Sequence, residues 1–91
     1  MWIVICYDIP DDRRRLRAAK VCLGFGQRVQ RSVFEADLTP EQLKRLKKML
    51  KKVIDPTEDS LRIYNLCRDC IKQTEVICGP AVIEVPQALI Y

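Results

Sequence analysis

The sequence predicts one small α+β domain, and three observations carry that reading. A continuous apolar run rich in β-branched and aromatic residues opens the chain at Trp2 to Tyr7. Two later stretches repeat apolar residues at helical spacing, and short strand-like stretches lie between and after them. With 91 residues, there is room for a single core that only marginally covers its own apolar surface. A homodimer is therefore expected.

Each element has its own justification. Trp2 to Tyr7 is too short for a buried helix and reads as a central strand covered on both faces. Asp8-Ile9-Pro10-Asp11-Asp12 breaks it, because Pro10 cannot sit inside a sheet and acidic residues suit the first turn of a helix. A helix is predicted from about Asp11 to Leu23, with Leu16, Ala19 and Leu23 as its apolar stripe and Arg13, Arg17 and Lys20 opposite. Gly24-Phe25-Gly26 ends it with a glycine available for a left-handed cap. From Gln27 to Leu38 the apolar residues change phase, from Val29 and Val33 to Phe34, Ala36 and Leu38. One regular strand cannot exchange its buried face, so a break or bulge near Arg31–Val33 is predicted, giving two short strands.

Thr39-Pro40-Glu41-Gln42 is a capping box with proline in the first turn. The helix it opens buries Leu43, Leu46, Leu50 and Val53 and stops at Asp55-Pro56. Leu61 to Cys67 is the fourth strand. A polar turn, Arg68-Asp69-Cys70, then leads towards Thr74–Cys78 as a fifth. The order is strand, helix, two strands, helix, strand: the ferredoxin-like βαββαβ pattern. The predicted organisation is a domain over residues 1–78 and a C-terminal extension over 79–91. In that extension Val82, Ile83 and Val85 have no element of their own left to cover them. They are expected to form an extra strand, exchanged or paired across the homodimer.

Composition excludes several chemistries. Histidine is absent, which removes imidazole acid–base catalysis and histidine-ligated zinc. Sixteen basic residues against twelve acidic ones leave a net charge of +4, moderate but compatible with a polyanionic partner. Met1 leads straight into the first strand without a basic segment, so no signal peptide is expected, and no apolar run approaches a membrane span. Five cysteines, an odd number without secretory context, read as reduced thiols in a cytoplasmic protein.

Asp8 is the leading candidate for chemistry. It is either a turn-forming residue ahead of Pro10 or a carboxylate at a strand end that holds a hard cation such as Mg²⁺. One carboxylate per chain is a poor magnesium site, whereas two copies of Asp8 on a two-fold axis are an adequate one. Arg13, Arg14, Arg17, Arg28 and Arg31 form the candidate nucleic-acid surface, since arginine's fork suits phosphate. The Lys-rich second helix reads as a solvated face. Cys67-Arg-Asp-Cys70 has redox or metal spacing. It lacks the second pair of a zinc site, and a redox pair is expected to open a helix, so it reads as structural.

Tyr7-Asp8-Ile9-Pro10-Asp11-Asp12-Arg13-Arg14-Arg15, followed by Phe25-Gly26-Gln27-Arg28-Val29-Gln30-Arg31-Ser32-Val33-Phe34-Glu35, resembles the CRISPR-associated protein 2 family. The resemblance covers essentially the whole chain. It implies a ferredoxin-like homodimer with C-terminal strands crossing to the partner, and a Mg²⁺ site built from Asp8 of each protomer. It also implies two roles. One is metal-dependent endonuclease (phosphodiesterase) activity on RNA or DNA, with Asp8 catalytic. The other is a bridge that holds duplex DNA by its phosphates for the spacer integrase. The alternative is a non-enzymatic ferredoxin-like module that binds a small regulatory ligand.

Overall fold

A computed structural model describes residues 1–79. Seven elements follow in order: β1 (Trp2–Asp8), α1 (Asp12–Leu23), β2 (Gln27–Gln30), β3 (Val33–Asp37), α2 (Pro40–Val53), β4 (Ser60–Leu66) and α3 (Arg68–Lys72). The strands form one sheet in the order β2-β3-β1-β4, and β1 runs antiparallel to both β3 and β4. This is the ferredoxin-like arrangement, as the element order predicted. Beyond Gly79, the expected extension, with Val82, Ile83 and Val85, lies outside the described residues.

Alternation along β1 decides which side chains see the helices. Ile3, Ile5 and Tyr7 join Phe34 and Ala36 of β3, Ala18, Ala19 and Cys22 of α1, and Leu46 and Leu50 of α2 in one core. Phe34 is fully buried there, so truncating it to alanine should cost about 3–5 kcal/mol. The other face of β1 carries Trp2, which is buried, and Val4 and Cys6, which are only half-buried. The strand is central, but among the described residues its second face is less fully closed than the apolar run suggested.

The second helix follows its sequence signals closely. Thr39 caps it through a complete capping box with Gln42, and Pro40 opens it. The first helix does not. Leu16 and Leu23 are 64% and 52% exposed, and the face against the core is Ala18, Ala19 and Cys22. These small side chains let α1 lie close to the sheet, which turns the leucines outward. Gly24 is not left-handed, with φ −71°. The indispensable glycine is Gly26, where a Cβ would stand 2.1 Å from the Glu35 carbonyl oxygen and 2.6 Å from the Ala36 Cβ.

The predicted break falls at Arg31-Ser32, a two-residue turn between β2 and β3. A separate register shift lies between Arg28 and Gln30, so Val29 is the extra residue that changes the phase. The predicted polar turn after β4 is instead the short helix α3. The predicted fifth strand at Thr74–Cys78 is not formed. Those residues lie beside Val33 and Glu35 across a groove of about 360 Å³.

Candidate nucleic-acid interface

Asp8 is the last residue of β1, opposite Ser60 of β4, and it is exposed. It shares the alternation of Trp2, Val4 and Cys6, so it belongs to the sheet face opposite the α1–α2 core, on which Trp2 is buried and Val4 and Cys6 are half-buried. On that face Cys6 stands opposite Val33 and Arg62, and Val4 opposite Glu35 and Tyr64. Tyr64 is 46% exposed, and its hydroxyl oxygen accepts a hydrogen bond from the Arg62 guanidinium at 3.3 Å.

The neighbouring acids are occupied by the helix. The Asp11 carboxylate caps α1 by accepting from the Arg14 amide at 2.9 Å, and Asp12 pairs with Arg15 one turn on. Among the described residues no three cysteine or carboxylate groups converge on a metal position. Among the described residues this strand end offers a hard cation a single carboxylate, Asp8. Such an ion takes six or more oxygens, so Asp8 by itself does not complete a site.

The five candidate arginines divide. Arg14 is turned inward. Its fork donates to both carboxylate oxygens of Asp59, at 2.9 and 3.0 Å, and the Asp59 side chain has no exposed surface. The hydrogen bond from Arg14 holds the Asp59 carboxyl below its ordinary range, and Asp59 raises Arg14 in return. Arg14 thus braces the fold, which its place in the basic run did not reveal. Arg15 is spent likewise, donating to the Ile9 and Pro10 carbonyl oxygens at 3.0 and 3.3 Å.

Arg13, Arg17, Arg28 and Arg31 are exposed. Arg13 and Arg17 lie one turn apart on α1, which begins four residues after Asp8. Arg31 sits in the β2–β3 turn, and the next residue, Ser32, accepts the Tyr7 amide at 3.1 Å. That bond brings the turn to the same end of the sheet as Asp8. Arg28 lies farther down β2, its guanidinium 5.1 Å from the Phe34 ring centroid, a cation–π contact that covers the sheet edge. The exposed cations run from the Asp8 end along α1 and β2.

Two features of this region were missed in the sequence. Glu35 has a buried Oε1 without a partner, and burial raises its carboxyl above the usual value. The open face itself was the other. A signal for it existed, since helices on one face of an antiparallel sheet cannot cover a strand that is apolar on both.

Residues 1–74 match the family described as CRISPR associated protein Cas2. The chain is similar to "CRISPR-associated endoribonuclease Cas2 3" of Synechocystis sp. (strain ATCC 27184 / PCC 6803 / Kazusa). The two are 44% identical over 87 residues, which covers 96% of this chain and 95% of that one. Among solved structures it is similar to Streptococcus pyogenes Cas2 at pH 6.5, with TM-score 0.76 and 34% identity over 86% of this chain and 100% of that one. It is also similar to a chain of a partial Cas6-RT-Cas1–Cas2 complex, with TM-score 0.76 and 31% identity over 93% of each.

Proposed function

The chain belongs to the CRISPR associated protein Cas2 family, and from that premise we propose that it works as a homodimer that grips duplex DNA by its phosphates. In this reading the dimer is a scaffold for the spacer integrase, and metal-dependent phosphodiester cleavage is conditional on the two Asp8 carboxylates meeting. The observation that carries the proposal is the position of Asp8, on the open, partly apolar sheet face and at the end where Arg13 and Arg31 stand. Two such faces packed together would bury Val4, Cys6 and Tyr64 and bring the two Asp8 residues towards one axis. Val82, Ile83 and Val85 are proposed to extend that interface.

Arg13, Arg17, Arg28 and Arg31 hold the backbone of the nucleic acid and fix its register without reading its sequence. Paired Asp8 carboxylates fit Mg²⁺ better than a softer ion, because they offer oxygen ligands and leave room for water. A divalent ion held there supplies Lewis-acid polarisation of the phosphoryl group. The chain has no histidine and so no imidazole base, which is why binding is placed ahead of cleavage as the main role. The Cas1–Cas2 assembly named for one structural relative supports the scaffold, and the endoribonuclease name of a sequence relative supports RNA as a substrate for cleavage.

The experiment compares Asp8→Ala with the double change Arg13→Glu/Arg31→Glu. Asp8→Ala should remain folded, lose divalent-dependent cleavage and retain duplex binding and spacer acquisition. The arginine double variant should lose binding and acquisition together. Loss of acquisition in a folded, DNA-binding Asp8→Ala protein would overturn the priority given to the scaffold.

A further inference from the structure

The sequence placed Cys67 and Cys70 in a turn after a late strand, where a redox role had no structural basis. The structure changes that premise. Cys67 is the N-cap of α3. The two sulfurs are 3.0 Å apart, and the Cys70 amide donates to the Cys67 sulfur at 3.3 Å. Both side chains are exposed. Two residues three apart in a helical turn have Cα atoms about 5 Å apart, inside the span of roughly 4.4–6.8 Å that a disulfide bridges. The bond therefore requires closing the sulfurs by about 1 Å and no rearrangement of the backbone.

We propose that Cys67 and Cys70 form a reversible dithiol–disulfide site that reacts with small-molecule disulfides. Cys67 is the attacking thiol and Cys70 the resolving one. The Cys67 thiolate attacks one sulfur of a disulfide RSSR, forms a mixed disulfide and expels RS⁻. Cys70 then gives its proton to water and attacks the Cys67 sulfur. That step expels the second RS⁻ and leaves the internal disulfide. Two electrons pass to the small molecule, which leaves as two thiols, and excess thiol reverses both steps.

The roles follow from the surroundings of each sulfur. Cys67 is lowered by the hydrogen bond from the Cys70 side chain and then by the Cys70 amide, whereas Cys70 is raised, chiefly by its bond to Cys67. The buried Cys22 thiol is pushed up to about 12 by desolvation and is inert at neutral pH. The site lies where the chain leaves β4. Its oxidation closes a short ring across the first turn of α3, ahead of the residues that line the Glu35 groove.

The test incubates the 91-residue chain in glutathione buffers of graded oxidised-to-reduced ratio and reads intact mass and peptide maps. The expected product has lost two hydrogens, with residues 67 and 70 linked, and reverts in excess reduced glutathione. Cys70→Ser should stop at a glutathione adduct on Cys67. Cys67→Ser should form an adduct on Cys70 on the order of tenfold more slowly. Both positions are exposed, and far-ultraviolet circular dichroism checks that the variants are folded. Equal labelling of Cys67, Cys70 and Cys78, or a product in which Cys78 is a disulfide partner, would overturn the proposal.

Discussion

Arg14 donates two parallel hydrogen bonds to Asp59, and this single fork joins the first turn of α1 to the residue that precedes β4. Asp59 Oδ2 also accepts the Asp55 amide at 2.8 Å, so one buried carboxylate closes the loop after α2. The next residue, Ser60, lies opposite Asp8. The Arg14–Asp59 pair therefore lies one residue from the β4 partner of the acidic strand end.

Asp59→Asn should lower the melting temperature by several degrees at neutral pH, because the mutation removes the charge of the solvent-shielded carboxylate that the half-buried Arg14 grips. The sign with pH follows from the direction of the shift. Asp59 lies below its ordinary 3.8 in the folded chain, so its contribution is present above that value and is lost as pH falls through the lower folded one. Melting curves of wild type and Asp59→Asn should converge in acid. A constant gap down to the lowest accessible pH would contradict the pairing.

Arg13→Glu and Arg17→Glu should leave stability within about 0.5 kcal/mol, since both side chains are exposed. Each should weaken duplex binding and reduce the slope of log affinity against log salt by about 0.9 for each phosphate contact removed. Arg14→Ala should do the reverse, losing stability while keeping the salt slope of the folded fraction. Filter binding at four salt concentrations, paired with thermal melts, separates the two classes.

Gly26→Ala should cost about 1–3 kcal/mol, because its Cβ would collide with the Glu35 carbonyl oxygen at 2.1 Å. That atom is backbone in a paired strand and cannot swing aside. Gly24→Ala should cost less, since its closest approach is 3.3 Å, to the Val21 carbonyl oxygen. Urea midpoints of the two variants give the comparison directly.

Glu35→Gln should stabilise the chain near neutral pH. Burial raises the Glu35 carboxyl above its ordinary 4.5, so the folded state binds the proton more tightly than the unfolded state. Stability falls as pH rises from 4.5 through the raised value. The advantage of glutamine should shrink as the pH is lowered through the raised value and level off below 4.5. An advantage that is flat with pH would place the effect in packing instead.

The parts of the fold set by local chemistry were legible in the sequence. The Thr39–Gln42 capping box, Pro40 and the Asp55-Pro56 stop bound α2 because each acts within one turn. The phase change between Val29 and Phe34 announced the hairpin break because side-chain alternation tolerates no slip. What was not legible depended on contacts distant in sequence. Leu16 and Leu23 read as a core stripe, and only the close approach of Ala18, Ala19 and Cys22 to the sheet turns them outward. Arg14 was indistinguishable from Arg13 until Asp59, 45 residues away, came beside it. Cys67 could not be recognised as a cap while α3 itself was read as a turn.

The hydrogen bond from the Tyr7 amide to the Ser32 carbonyl oxygen makes the end of β1 and the β2–β3 turn parts of one splint. The backbone spacing between Asp8 and Arg31 is thus a dimension of the ladder rather than of a loose loop. In the proposed reading, inserting one residue beside Arg31 would shift the grip on a bound strand while leaving the acid where it stands. Ligand hold and acid placement can be uncoupled at that one joint, which makes the turn the place to engineer one without disturbing the other.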